Sequence, residues 1–521
     1  MTSEITSINW DVIVIGTGIG GGTAGRALAE TGLKTLFIEK GPLGYRSEQN
    51  TLDPNISLPQ ARHARGLWPG QMIAHKNNRE TRFFGPLGAG VGGSSVFYAA
   101  TLERPEPHDL DHSDARPHPT GGWPITFEEF EPYLAKAEEL YKVSGEPHSE
   151  NQTNLRPPPP LSAGDEHIAR RLRKNGMQPY HLHSAMALID GCLDCAGHKC
   201  PFPCKMDARS AGVEPALATG KASLLDNTEV TQLITNGAQI THALVRRNGE
   251  TFSLKAKQFL LAGGAFGSPR LCLASTCEAH PNGIANSSGL VGRGLMFHLN
   301  ELFAVWPGIT DPKPTKALGL RDFYFANDQR LGMVQAMGVN ASYGEIAYYF
   351  DNLISQSKMR HVPMMGKLSR LPAALASKML GSAKIFVGLL EDLAYNENRV
   401  MPPVVGSDDI AFEYRLHEEL VNRRTVFRRE ISRAFKGQRR LFLSFSPELN
   451  YGHPSGTMRF GRDSNLSVLN AAGRTHDHQN LWCADAGFMP SSMGVNPSLT
   501  IAAQALRTAK AIKETVKNEP K

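Results

Sequence analysis

Short, uninterrupted apolar runs that stop at a glycine or an acidic residue recur along this chain, and they predict buried parallel strands. Residues 11–15 (DVIVI) are rich in β-branched side chains and end at Gly16, while KTLFIE ends in Glu39. QFLLAGG, from 258, runs into a glycine turn ahead of a helical segment, and LWCADAGFMPSS puts Asp485 where a buried strand should stop. Helical spacing shows elsewhere. Phe127, Phe130, Leu134 and Leu140 recur at roughly helical intervals behind Thr126 and Glu129, a capping-box start that predicts a scaffold helix. Near the C-terminus, SLTIAAQALRTAKAIKETV follows Asn496 and Pro497, which read as helix N-cap and first helical residue. Residues 358–390 mix apolar side chains with regularly placed Lys and Arg, predicting an internal lid or interdomain helix, with a membrane-surface contact as the rival. The proline run ending at Pro160 reads as a stiff connector.

Composition narrows the function classes. At 521 residues the chain has room for about three domains, or equally for one large cofactor domain plus a second unit. Its 56 Lys and Arg against 50 Asp and Glu make it only mildly basic, with no like-charge run and no basic patch interleaved with aromatics. Nucleic acid is therefore not an expected partner, and a small or uncharged substrate is. MTSEITSINWDVIVIG lacks the basic start and cleavage site of an export signal, and no stretch of about 18 apolar residues predicts a membrane span. Seven cysteines, four of them within residues 192–204, suit a ligand set or reduced thiols better than a disulfide framework, so a cytoplasmic location is expected.

Candidate chemistry begins at the first strand, which is followed by Gly16, Gly18 and Gly21 in G-x-G-x-x-G order. The first glycine permits the tight turn, the second lets backbone approach a pyrophosphate, and the third lets the helix pack on the strand. Glu39, ending the second strand, is placed to accept hydrogen bonds from a ribose diol. The motif does not separate FAD from NAD. Gly90, Gly92 and Gly93, followed by Ser94 and Ser95, form a second glycine-rich turn whose amides and hydroxyls could bind a diphosphate and a flavin edge. Cys192, Cys195, Cys200 and Cys204 follow C-x2-C-x4-C-x3-C, which could hold zinc or an iron–sulfur cluster and equally suits a metal-free, cysteine-rich segment. His453 lies in a Gly/Pro/Ser turn, from which it could project into a cavity as a general base or simply be solvated.

GPLGAGVGGSSVFYAA (85–100), GWPITFEEFEPYLAKAEELY (122–141), GGAFGSPRLCLAS (263–275), GLVGRGLMFH (289–298), NENRV (396–400) and the region from YGHPSGTMRFG to about 512 together resemble the glucose-methanol-choline (GMC) oxidoreductases. The resemblance implies a mixed α/β fold: a discontinuous Rossmann-like FAD-binding domain over 1–125, 205–299 and 449–521, with a substrate-binding domain over 126–204 and 300–448 built on an antiparallel sheet plus helices. It implies FAD held without a covalent bond, because Phe97 stands where flavin-linked relatives carry histidine; Tyr98 replaces a common Asn. Val230 matches an adenine-contacting backbone position, Asp485 a cofactor contact to a ribityl hydroxyl or backbone amides, and Pro497 begins the helix whose positive end faces the flavin. His453 is implied as the base and Asn496 as the residue holding the substrate oxygen, in the oxidation of a sugar, polyol, sterol or aromatic alcohol. A second half-reaction passes electrons to oxygen, a quinone or a redox protein, with a dehydrogenase favoured over an oxidase on account of the cysteines. The rivals are a lyase or decarboxylase on the same fold and a non-catalytic FAD-binding protein.

Overall fold

The structure is a computed structural model that describes residues 2–46, 58–150, 152–187, 192, 195–309, 311, 315–326, 328–338, 346, 354 and 370–518. In chain order, the elements that build the site start with strand β1 (Trp10–Ile15), helix α1 (Ile19–Glu30), β2 (Thr35–Ile38) and helix α2 (Phe127–Leu140). They continue with β3 (Ala222–Leu225), β4 (Ala256–Leu261), α3 (Gly264–Ala274), β5 (Leu299–Val305), β6 (Gly332–Ala336) and β7 (Lys384–Leu390). The last are helix α4 (Glu418–Ala434), β8 (Leu481–Cys483) and helix α5 (Ser498–Asn518).

The apolar runs form one parallel sheet in the order β8-β4-β1-β2-β3. Strand alternation gives it two buried faces. Val12, Val14, Phe37, Leu260 and Trp482 pack with Ala24 and Leu28 of α1 and with Ala505 and Ile512 of α5. Ile13, Ile15, Leu36, Ile38, Phe259 and Leu261 enter the larger core on the other side. Helix α2 starts at the expected capping box: Thr126 Oγ1 accepts from the Glu129 amide at 3.2 Å, and the Glu129 carboxylate accepts from the Thr126 amide at 2.9 Å.

A second, antiparallel sheet runs Arg440–Phe442, β5, β7, β6, Leu318–Leu320, Tyr180–His181. Helix α4 covers one of its faces. There Glu301 pairs with Arg424 at 2.7 Å and Arg428 at 3.3 Å, Phe427 and Ile431 are buried, and glycine at 388 is required because a Cβ would stand 2.6 Å from the Phe427 ring.

The lid expected over 358–390 is not what forms where the chain is described. Residues 358–369 lie outside the described residues, Arg370–Leu380 is a surface helix that exposes Leu371, Leu375 and Met379, and β7 is a fully buried central strand. Its continuous apolar run KIFVGLL is sheet core, which periodicity alone does not separate from a buried helix. Among the described residues, no helix is long and apolar enough to cross a membrane.

Candidate active site

A cavity of about 1130 Å³ lies where the two sheets meet. Gly16, Gly18, Glu39, Gly93, Ser94, Ser95, Val230, Asp485, His453, Asn496 and Pro497 all line it. Gly21 does not, and its role is packing: a Cβ there would stand 2.0 Å from the Gly16 carbonyl oxygen, so glycine lets α1 lie against the strand turn. At Gly18 a Cβ would enter open space, so glycine keeps the cavity clear beside the start of α1.

Gly90 and Gly92 are also absent from the lining. Gly92 takes φ +97°, where a Cβ would meet Val96 at 2.5 Å, and Gly90 sits 3.0 Å from Gly66 and Pro42 atoms by the same construction. These two shape the turn from behind and do not contact the space a cofactor can reach. The Ser95 hydroxyl is committed within the chain, donating to the Gly92 carbonyl at 2.6 Å and accepting from the Ala208 amide at 2.9 Å. Ser94 Oγ accepts from the Gly88 amide at 2.9 Å and keeps its proton to donate.

Glu39 is buried, and one carboxylate oxygen accepts from the Thr17 amide at 3.0 Å and hydroxyl at 2.5 Å. The other accepts from the Gly41 amide at 3.4 Å. Burial pushes this carboxyl up against the pull of the Thr17 hydroxyl. Asp485 is satisfied by the chain itself: one oxygen accepts from the Gly264 amide at 2.9 Å and the Ser268 hydroxyl at 2.5 Å, the other from the Gly487 amide at 2.9 Å. The expected backbone amides are among its partners, and Asp485 also lines the cavity. The carboxylate ties the N-terminus of α3 to the turn after β8, and Ser268 had no signal in the sequence.

His453 is half-buried, packed against the buried His298, with the two Nδ1 atoms 3.1 Å apart. His298 Nε2 lies 3.0 Å from the Met493 carbonyl oxygen, which can only accept, so that nitrogen carries the proton. Burial pushes the His298 pKa down to about 4, so the ring is neutral and its Nδ1 is an acceptor. His453 Nδ1 is then the donor, and His453 Nε2 keeps its lone pair. Asn450 Nδ2, 3.2 Å from the same His453 Nδ1, cannot also donate to it; its Oδ1 is fixed by the Gly452 amide at 3.1 Å, so the contact is packing. Burial first, then His298 and Lys316, hold the His453 pKa well below the ordinary imidazole value. The ring is a neutral base over the physiological range.

Asn496 is not the N-cap. Helix α5 begins at Ser498, and the Pro497 carbonyl accepts the early helical bond from the Ile501 amide at 2.9 Å, so Asn496 stands one residue outside. Its Oδ1 is buried without a partner, free for a ligand.

The cysteine loop abuts this region. Buried Lys205 donates from Nζ to the carbonyls of Val96 at 3.0 Å, Tyr98 at 3.2 Å and Cys195 at 3.0 Å, and to that of His198, stapling the loop to the second glycine turn. Cys200 and Cys204 sulfurs lie 3.2 Å apart. Among the described residues the four cysteines do not form a group with ligand atoms mutually within 4.8 Å; the one such group is Glu103, His148 and His183. Arg321 already sits 2.6 Å from the Glu103 carboxylate, so that trio reads as an ion-paired cluster.

Sequence models of the GMC oxidoreductase family match residues 10–300 and 414–505. The chain is 26% identical to the paromamine 6'-oxidase of Streptomyces fradiae over 96% of its own length and 91% of that protein's. It is 26% identical to the fructose dehydrogenase large subunit of Gluconobacter japonicus over 99% and 100% of the two chains. Among solved structures, a formate oxidase of Aspergillus oryzae, studied for its FAD modification, superposes with a TM-score of 0.67 at 15% identity, covering 98% of this chain and 99% of that one.

Proposed function

The chain belongs to the GMC oxidoreductases, and from that premise we propose that it oxidises a primary or secondary alcohol to the carbonyl, with His453 as base and Asn496 holding the reacting oxygen. FAD is the cofactor of this family's fold. The residues fit it: Gly18 leaves room beside the start of α1, Ser94 has a proton to donate, and the second Glu39 oxygen is available to ribose hydroxyls. Val230 lines the adenine end in this reading, and Phe97 has no nucleophilic atom, so attachment is non-covalent.

When bound, FAD would supply the hydride acceptor for the alcohol carbon. His453 Nε2 takes the hydroxyl proton, made ready by the donation of Nδ1–H to His298. The Asn496 carboxamide fixes the oxygen beside that nitrogen, so proton and hydride leave from one held geometry. The N-terminal end of α5 reaches the same cavity through Pro497 and Ser498, and its positive dipole end favours negative charge gained there. The cysteine loop is assigned a structural role, through Lys205 and the packing of its sulfurs on one another, and oxygen, a quinone or a redox protein takes the electrons afterwards.

The carrying observation is that His453 and Asn496, far apart in the chain, line the same cavity as the N-terminal glycine turn. The test is anaerobic mixing of the purified holoenzyme with an alcohol panel while the flavin spectrum is followed. Bleaching is expected, and His453→Ala should slow it by about 10²- to 10⁴-fold. If no alcohol bleaches a flavin that dithionite does reduce, the lyase, decarboxylase and non-catalytic readings take over. Peroxide formed in air marks an oxidase, and its absence a dehydrogenase.

A further inference from the structure

The antiparallel sheet turns one face to α4 and the other to the cavity, and strand alternation decides which side chains face which way. Glu301 on β5 and Gly388 on β7 meet α4, so Asn300, Val387 and Leu389 point to the opposite side, where all three line the cavity that holds His453. Gln335 of β6 lines it too. The pairing register sets Asn300 opposite Leu389 and Gln335 opposite Val387. Two carboxamides therefore flank an apolar strip on the central strand.

Neither amide is satisfied within the protein. Oδ1 of Asn300 and Oε1 of Gln335 are buried without a hydrogen-bond partner, as is Oδ1 of Asn496, and Gln335 as a whole is only 5% exposed. Leaving buried amide oxygens unpaired is costly, so three around one cavity mark positions that a ligand completes. A hydroxyl both donates and accepts, and so pairs with a carboxamide whichever way the amide is turned. Between the two amides, Val387 and Leu389 offer the surface that the C–H faces of a carbon skeleton need. Lys316 lines the cavity as well, and its charge opposes protonation of His453.

We infer that the site takes a polyhydroxylated substrate, a sugar or polyol, whose hydroxyls beyond the reacting one are read by Asn300 and Gln335. The inference rests on the alcohol-oxidation reading and narrows its substrate; Asn300 and Gln335 act as specificity determinants.

The holoenzyme is mixed anaerobically with 1-propanol, glycerol, sorbitol and D-fructose, and the second-order rate constant of flavin bleaching is measured for each. Sorbitol or D-fructose should exceed 1-propanol by at least about tenfold. Asn300→Leu and Gln335→Leu should each cut the polyol-to-propanol ratio by roughly 10- to 100-fold. Asn300→Asp and Gln335→Glu, which keep an acceptor of similar size, should recover most of that ratio, and they serve in place of a leucine variant that loses its flavin. Equal rates for 1-propanol and the polyols, or a ratio that no variant changes, overturn the inference and leave alcohol oxidation standing. Bleaching by none of these compounds, with dithionite still effective, takes down the underlying reading as well.

Discussion

At His453, burial and its neighbours lower proton affinity, and His298 fixes which ring nitrogen carries the proton. Because the shift is downward, the acid limb of kcat/KM belonging to this base should lie below pH 6.5, with activity flat as pH falls from 7 through 6.5. A pH–rate profile with its inflection at or above 6.5 would contradict that assignment. His298 is a positioning residue whose removal leaves the His453 Nδ1–H without an acceptor. His298→Leu should lower kcat by on the order of 10–100-fold at unchanged FAD content, and His298→Gln, which retains an accepting oxygen, should restore part of it. His298 also ties stability to pH. Its folded pKa of about 4 lies below the ordinary 6.5, so between these values the unfolded chain binds the extra proton and stability is lost as pH falls. The share of that loss due to His298 is on the order of 3 kcal/mol across the window, seen as a weaker pH dependence of the denaturant midpoint in His298→Gln than in the parent. The sequence showed His298 only as the end of a family block; its task depends on a ring 155 residues away.

At the scale of elements, the G-x-G-x-x-G turn makes two separable demands on its glycines. A methyl at Gly18 points into open cavity, whereas one at Gly21 collides with the Gly16 carbonyl. Gly18→Ala should therefore fold with near-normal stability and bind FAD weakly, while Gly21→Ala should lose stability whether or not FAD is present. Paired thermal melts and flavin-binding titrations separate the two outcomes, and an equal loss of stability in both variants would sink the distinction. This turn was legible because its spacing and its flanking strand and helix are all local. The second glycine turn was legible only in part. That Gly90 and Gly92 face away from the cavity follows from their packing on Gly66 and Pro42 and on Val96, which no local pattern records. Helix α5 shows the same limit, since Asn-Pro ahead of a helical run reads as a cap, yet the helix starts one residue later than that reading requires.

For the whole molecule, the cavity is shared between the parallel sheet, through Ile15 and Leu261, and the antiparallel sheet, through Val387 and Leu389. A ligand there touches both, so FAD should stabilise the entire fold and not one half of it. At a hundredfold excess over Kd the gain is about 2.7 kcal/mol; removing FAD should lower the melting temperature in a single cooperative step that rises again on adding FAD back. A melt indifferent to FAD would mean that the cavity is not the cofactor site. The sequence alone determined the buried strands, the nucleotide turn and the capped helix at 127, because contiguous apolar runs, glycine spacing and capping chemistry act over a few residues; His453 and Asn496 became candidates through the family resemblance of the blocks around them. Tertiary structure decided the proton's place on His453, the amide and hydroxyl partners of Asp485, the packing of the cysteines against one another and the facing of Asn300 and Gln335 into one cavity. Those outcomes depend on strand register and side-chain partners brought together from distant parts of the chain, and neighbouring residues carry no trace of either.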